Sequence, residues 1–192
     1  ITIENWFVAG DYYQIESLVF SDGTSLSKAQ LTQVGNVIYG TEGADTLASF
    51  ADNNTVYALG GNDTITDGGG SDTIEGGAGD DIITDSGSGT NNLRGGDGND
   101  TITYSYYANN TIDGGAGDDL IKIDSASHYL YANTITGGLG NDRIQSGSNA
   151  DTYLYSRGDG QDSISDYDNY SAAKTDKIVF GAGIVASDLF VS

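Results

Sequence analysis

The chain has 192 residues, 28 of them acidic and 7 basic, for a formal net charge of −21. That charge repels nucleic acid and anionic lipid and attracts cations. The chain has no Cys, which excludes disulfide and thiol chemistry, and no apolar run long enough to cross a bilayer as a helix.

Apolar content is low at 37%, and 29 Gly stand beside no Pro. Acidic, Gly-rich chains are often disordered. Here the acids and glycines fall at fixed spacing, which a solvating tail does not need. The chain opens Ile1-Thr2-Ile3-Glu4, without Met or a charged-then-apolar leader, as a piece of a longer polypeptide would.

Residues 1–35 are not repetitive and read as an N-terminal cap. Ile1 to Phe7 alternates like a strand, and Tyr13 to Phe20 reads as a second strand. Ser21-Asp22-Gly23-Thr24 is a turn. Ser25 has the chemistry of an N-cap for a short helix over Leu26 to Gln33, stopped by Gly35.

From residue 36 to 165 a nine-residue pattern, G-G-x-G-x-D-x-U-x with U a large apolar residue, dominates. It is clearest from Gly76 to Thr84, Gly95 to Thr103, Gly114 to Lys122 and Gly137 to Gln145. Aligned on the sixth residue, the copies form two interleaved series. Series A has Asp45, Asp63, Asp81, Asp100, Asp119, Asp142 and Asp162 there. Series B has Asn54, Asp72, Asn91, Asn110, Asn133 and Asp151. Series A advances by 18, 18, 19, 19, 23 and 20 residues, so two nonapeptides make one coil.

Position eight is apolar almost throughout. Series A has Leu47, Ile65, Ile83, Ile102, Ile121, Ile144 and Ile164. Series B has Val56, Ile74, Leu93, Ile112, Ile135 and Tyr153, with Leu93 offset by one place if Asn92 is the sixth residue. Short strands with one side chain inward stack into two parallel sheets around an Ile-rich seam. About two apolar side chains per coil are too few to offset the ordering of a whole coil. Something else must hold the coils together. The glycines permit φ > 0 and let carbonyls turn into the gap between coils, and position six adds a carboxylate. Oxygen donors in flexible geometry suit Ca²⁺, and no His or Cys cluster offers a zinc or copper site.

The nonapeptide resembles the calcium-binding repeat of RTX, or haemolysin-type, proteins. The resemblance implies an all-β, right-handed parallel β-roll with irregular caps, holding about five to seven Ca²⁺ ions. It also implies that each ion sits between turns one coil apart. The earlier turn gives positions two, four and six, and the later gives one, three and six. One ion then falls to Gly77, Gly79 and Asp81 with Gly95, Asp97 and Asp100. The next falls to Gly96, Gly98 and Asp100 with Gly114, Ala116 and Asp119. A third falls to Gly115, Gly117 and Asp119 with Gly137, Leu139 and Asp142. The end sets depart further from the pattern. They are Thr41, Gly43 and Asp45 with Ala58, Gly60 and Asp63; Leu59, Gly61 and Asp63 with Gly76, Ala78 and Asp81; and Gly138, Gly140 and Asp142 with Arg157, Asp159 and Asp162, where Arg157 brings a cation nearby.

In series B only Asp67-Gly68-Gly69-Gly70-Ser71-Asp72 is a good turn. Ser146-Gly147-Ser148-Asn149-Ala150-Asp151 is partial; in the others Asn replaces the acid and Tyr106, Tyr107, Tyr129 and Tyr131 stand among the lost glycines. The expectation is an ion row on the series A edge and a mostly ion-free series B edge. An ion at Asp72, with Asn54 or Asn91, is the exception considered.

Residues 3–7, 15–16 and 20–24 resemble the haemolysin-type calcium-binding-related domain. Its other half resembles Asp176-Lys177-Ile178-Val179-Phe180-Gly181 and onward, so residues 166–192 read as a C-terminal cap segment. Together the halves suggest one period of a tandem array, joining neighbours head to tail. The resemblance implies a calcium-folded module of a large toxin or adhesin exported by a type I system, at the bacterial surface or in the medium. One alternative is an adhesive module that binds a glycan or protein on the Tyr-bearing edge, with Phe50 beside it. The other is the non-catalytic repeat module of a secreted enzyme.

Other features have plainer readings. His128 is a surface loop residue, and one His without a nucleophile–base pair points away from catalysis. The Thr at position seven is interrupted by Ile82, Leu120 and Arg143, so β propensity explains it. Asp166, Asp168 and Asp176 lack the spacing of a helix-loop-helix calcium site, and the Gly-rich turns lack the Gly-Lys-Ser/Thr of a phosphate loop.

Overall fold

The computed structural model describes residues 17–19, 25–27, 36–49, 51–104, 109–123, 131–147, 150–167 and 175–189. Two compact units emerge, Ile1–Val37 and Ile38–Ser192. In the first, β1 (Ser17–Val19) pairs antiparallel with β2 (Ser25–Ser27), Leu18 opposite Leu26. Ser25 is therefore a strand residue and not a helix cap. A pairing partner supplied by the preceding strand outweighs the local capping signal. The remainder of the expected helix lies outside the described residues.

The second unit is a parallel β-roll. One sheet of eight strands holds β3 (Val37–Tyr39), β5 (Thr55–Tyr57), β7 (Thr73–Ala78), β9 (Asn92–Asp97), β11 (Thr111–Ala116), β13 (Thr134–Leu139), β15 (Thr152–Tyr155) and β17 (Lys177–Phe180). The facing sheet of seven holds β4 (Thr46–Ala48), β6 (Thr64–Asp67), β8 (Ile82–Asp85), β10 (Thr101–Tyr104), β12 (Leu120–Ile123), β14 (Arg143–Gly147) and β16 (Ser163–Tyr167). Each strand's neighbours lie two elements away in the chain, as a coil of two nonapeptides requires.

Position eight sets the register. Ile65, Ile83, Ile102, Ile121, Ile144 and Ile164 stack in one sheet. Val56, Ile74, Leu93, Ile112, Ile135, Tyr153 and Ile178 stack in the other. Most of these side chains are fully buried, and the seam loosens at both ends: Ile38 and Leu47 of the first coil are half-buried, and Ile164 and Ile178 of the last are exposed. Leu93 is in register between Ile74 and Ile112, so Asn91 is the sixth residue of its repeat and no offset exists.

The roll also runs further than its periodicity announced. The backbone N–H of Asp151 donates to Asp176 Oδ1 at 2.9 Å, and β17 pairs with β15. Asp176 thus stands at a sixth position and Ile178 at an eighth. Among the described residues the only helical turn is a 3-10 turn, η1 (Ala186–Asp188).

Position five carries a hydrogen-bond ladder that sequence reasoning missed. The N–H of Asp80, Asn99, Asp118, Asn141 and Gln161 donates to Oδ1 of Asn62, Asp80, Asn99, Asp118 and Asn141, each one coil earlier, at 2.8–3.2 Å. Asn and Asp alternate along it, so an amide separates successive carboxylates. Asn or Asp at position five was the available signal, but its partner lies a coil away in the chain.

Candidate metal centre

Position six carries a second ladder, running the opposite way. In series A the N–H of Asp45, Asp63, Asp81, Asp100 and Asp119 donates to Oδ1 of the next coil's Asp at 2.7–2.8 Å. Asp142 does the same to Asp162 at 3.1 Å. In series B the same ladder runs through Asn54, Asp72, Asn91, Asn110, Asn133 and Asp151. Asn can serve here because the ladder needs only an acceptor oxygen.

What separates the edges is the second carboxylate oxygen. Asp63, Asp81, Asp100, Asp119 and Asp142 are each at most 2% exposed, and Oδ2 of each has no hydrogen-bond partner. Buried charged oxygens without partners are costly. Burial, opposed by the ladder hydrogen bond, pushes the carboxyls of Asp100 and Asp142 up to about 6 and that of Asp119 up to about 7. Repulsion from neighbouring acids adds to each, and Asp81 and Asp162 are raised for the same reasons.

The glycines shape the space around these oxygens. Gly96 has φ +125° and Gly98 has φ +130°, and a Cβ on either would collide with the carbonyl oxygen of Gly77 or Gly79 one coil earlier. The carbonyls of positions two and four therefore face the next coil. At position one, a Cβ built on Gly76 would lie 2.5 Å from the Gly95 oxygen and closer still to Asp81 Oδ2. On Gly95 the same atom meets Asp100 Oδ2 and the Gly114 oxygen, and on Gly114 it meets Asp119 Oδ2 and the Gly137 oxygen, all within 2.5 Å. Calcium–oxygen distances are about 2.3–2.6 Å. The missing methyl lets a carboxylate of one turn and a carbonyl of the next approach the same point beside position one, where an ion in the gap between coils could be bonded by both. Position-three carbonyls are partly engaged: those of Ala78, Asp97, Ala116, Leu139 and Asp159 accept the position-four N–H of the coil before at 2.6–2.8 Å.

Among the described residues no three acidic side chains converge as a metal cluster. The donor set explains this: carboxylates contribute singly from each turn, and the other donors are main-chain oxygens, which suit a hard cation.

The outer turns differ. Asp45 is only half-buried, and its Oδ2 accepts the Thr41 N–H at 2.6 Å and the Thr41 hydroxyl at 2.8 Å. A Cβ built on Gly137 would meet the Asp142 side chain first, with Oδ2 nearest. The Arg157 guanidinium turns away to Asp188 at 3.2 Å and to the Gly183 oxygen. Asp159 Oδ2 accepts the Ser156 N–H at 2.6 Å.

In series B, Asp72 Oδ2 is likewise buried without a partner, and burial beside Asp67 raises its carboxyl to about 7. Asp166 accepts the Tyr153 hydroxyl at 2.6 Å. Phe50, Tyr106, Tyr107, His128, Tyr129 and Asp168 lie outside the described residues; Tyr131 is exposed.

A parallel roll whose Gly-rich turns line up buried, partnerless carboxylate oxygens with main-chain carbonyls defines a calcium-binding repeat module. Residues 34–65, 57–84, 85–103, 105–122 and 130–164 match the RTX calcium-binding nonapeptide repeat, and the chain belongs to that family. Residues 1–30 match the haemolysin-type calcium binding protein related domain. No curated protein matches the chain. Among the described residues no helix is long and apolar enough to cross a membrane.

Proposed function

We propose that this chain is a calcium-driven folding module of a large toxin or adhesin exported by a type I system, and that it folds once outside the cell. The supporting observation is the row of partnerless Oδ2 atoms at Asp81, Asp100 and Asp119, each within ion-bond reach of the space beside a carbonyl of the following turn.

In this reading Gly77, Gly79 and Asp81 with Gly95, Asp97 and Asp100 hold one ion. The next two sets, running through Asp119 and Asp142, repeat the arrangement a coil at a time. Bound calcium supplies the positive charge that these buried carboxylates lack. Oδ1 of each Asp already accepts the N–H of the coil before, so Oδ2 is the oxygen left for an ion. One side chain then ties two coils together twice. Without a cation the row of acids repels itself and opposes stacking. With one, binding free energy becomes folding free energy. Extracellular modules bind calcium at about 10⁻⁴–10⁻³ M. A site of that affinity stays empty in a cytosol and fills outside, which leaves the chain unfolded for export and rigid afterwards.

Circular dichroism of the chain in chelator, and then in millimolar calcium, tests this. Strand signal should be largely lost in chelator and return with calcium. Full retention in chelator would refute the reading.

A further inference from the structure

We propose that the residue at position one of each turn, and not the acid at position six alone, selects which turns take an ion. The inference rests on the calcium reading above and sharpens it to particular turns. Position one points inward at the end of a strand, beside the position-six side chain of its own turn. Where it is Gly, as at Gly76, Gly95 and Gly114, a carboxylate of that turn and a carbonyl of the next close in on the point a methyl would need and form an oxygen cradle beside it, and the neighbouring Oδ2 has no partner.

Series B fills that place. Among the described residues its position one is Ser49, Asp67, Ser86 or Ser146. The hydroxyl of Ser146 donates to Asp151 Oδ2, the oxygen equivalent to those left bare in series A. Asp151 is fully buried, yet its Oδ2 has a partner. A serine hydroxyl thus takes over the role of the cation as the positive group facing that oxygen. The exception follows the same rule. Asp67 at position one cannot donate as a carboxylate, and Asp72 Oδ2 stays without a partner.

Series A is interrupted by the same logic. Ala58 carries the methyl that its neighbours omit and is fully buried. On this proposal its methyl keeps an ion from joining Asp63, whose Oδ2 is also buried without a partner, to the next turn, and the ion row skips that turn although Leu59, Gly61 and Asp63 are otherwise arranged to ligate. At the first turn Thr41 satisfies Asp45 Oδ2, and at Gly137 the Asp142 side chain itself crowds closest to position one. Complete cradles remain at Gly76, Gly95 and Gly114.

The test is a count of bound calcium on the full chain by equilibrium dialysis and elemental analysis, for the native chain, Ala58→Gly and Gly95→Ser. Gly95 does not have a left-handed φ, so its backbone admits serine, but the added Cβ must push back Asp100 Oδ2 and the Gly114 oxygen, which crowd that point within 2.5 Å; Ala58→Gly only removes atoms and is free of that strain. Opening the cradle in Ala58→Gly should add one ion. Closing it in Gly95→Ser should remove one and, by supplying a hydroxyl to Asp100 Oδ2, raise the strand signal left in chelator. If the native chain binds calcium and both variants keep its count, the position-one selector is wrong while the calcium reading stands. If the native chain binds no calcium at all, the calcium reading falls, and the selector with it.

Discussion

Replacing Asp100 by Asn separates the carboxylate's two jobs. Asn retains an Oδ1 that can accept the Asp81 N–H, now at 2.8 Å, as Asn91 does for Asp72 on the other edge. What it lacks is the charge on Oδ2. In chelator that charge is a liability. Burial raises the Asp100 carboxyl from 3.8 to about 6, which at neutral pH corresponds to a cost to the folded state of about 3 kcal/mol. Asp100→Asn should recover up to that amount. In calcium the sign reverses, because Asp100 belongs to two consecutive ligand sets. Each ion contributes about 2.7 kcal/mol when free calcium is ~100 times its dissociation constant. For a site of ~10⁻⁴ M that is ~10 mM calcium. Losing both ions costs about 5 kcal/mol. Circular dichroism of both chains, over a calcium titration that starts in chelator, reads the two effects together. The variant should keep more strand signal than the native chain without calcium, and need more calcium to reach its folding midpoint. A shift of the same sign at both ends of the titration would refute the reasoning, since only a carboxylate that is a burden alone and a ligand with metal produces a crossing.

Two further outcomes follow from the same geometry. The carboxyls of Asp72 and Asp119 are raised to about 7, and those of Asp100 and Asp142 to about 6. Each therefore binds its proton more tightly in the roll than in the unfolded chain. In chelator, strand signal should rise as pH falls from 8 through 7 and 6, be complete below about 3.8, and be lost again on return. In calcium the proton competes with the ion, so the calcium midpoint should rise as pH falls. Leu59 is the only described non-Gly residue with φ in the left-handed region, at +78°, and it stands at a position that is Gly in most series A turns. Its side chain is 42% exposed, so Leu59→Gly gives up about 1 kcal/mol of burial against the ~1–2 kcal/mol of left-handed strain it relieves, and the thermal midpoint in calcium should change little.

Much of this molecule is legible in its sequence because the fold is periodic. A residue's place in the nine-residue pattern sets whether it faces the seam, the turn or water. The spacing of Asp81, Asp100 and Asp119 therefore announces both the coil length and the row of acids, and the steady Ile at position eight announces two stacked sheets. The helix read at Ser25 failed for the opposite reason. No period governs that stretch, and the backbone bonds of Ser17–Val19 decided its conformation.

Which carboxylate oxygen lacks a partner was settled only by the folded coil. Asp142 and Asp151 look alike as acids at position six, and both are buried. One has Gly137 beside it and a bare oxygen, and the other has the Ser146 hydroxyl. That difference depends on two side chains meeting across a turn, and on carbonyls brought from a coil 18–23 residues away. Periodicity ranks the turns by their acids, whereas the cost of a buried charge depends on what fills the space beside it.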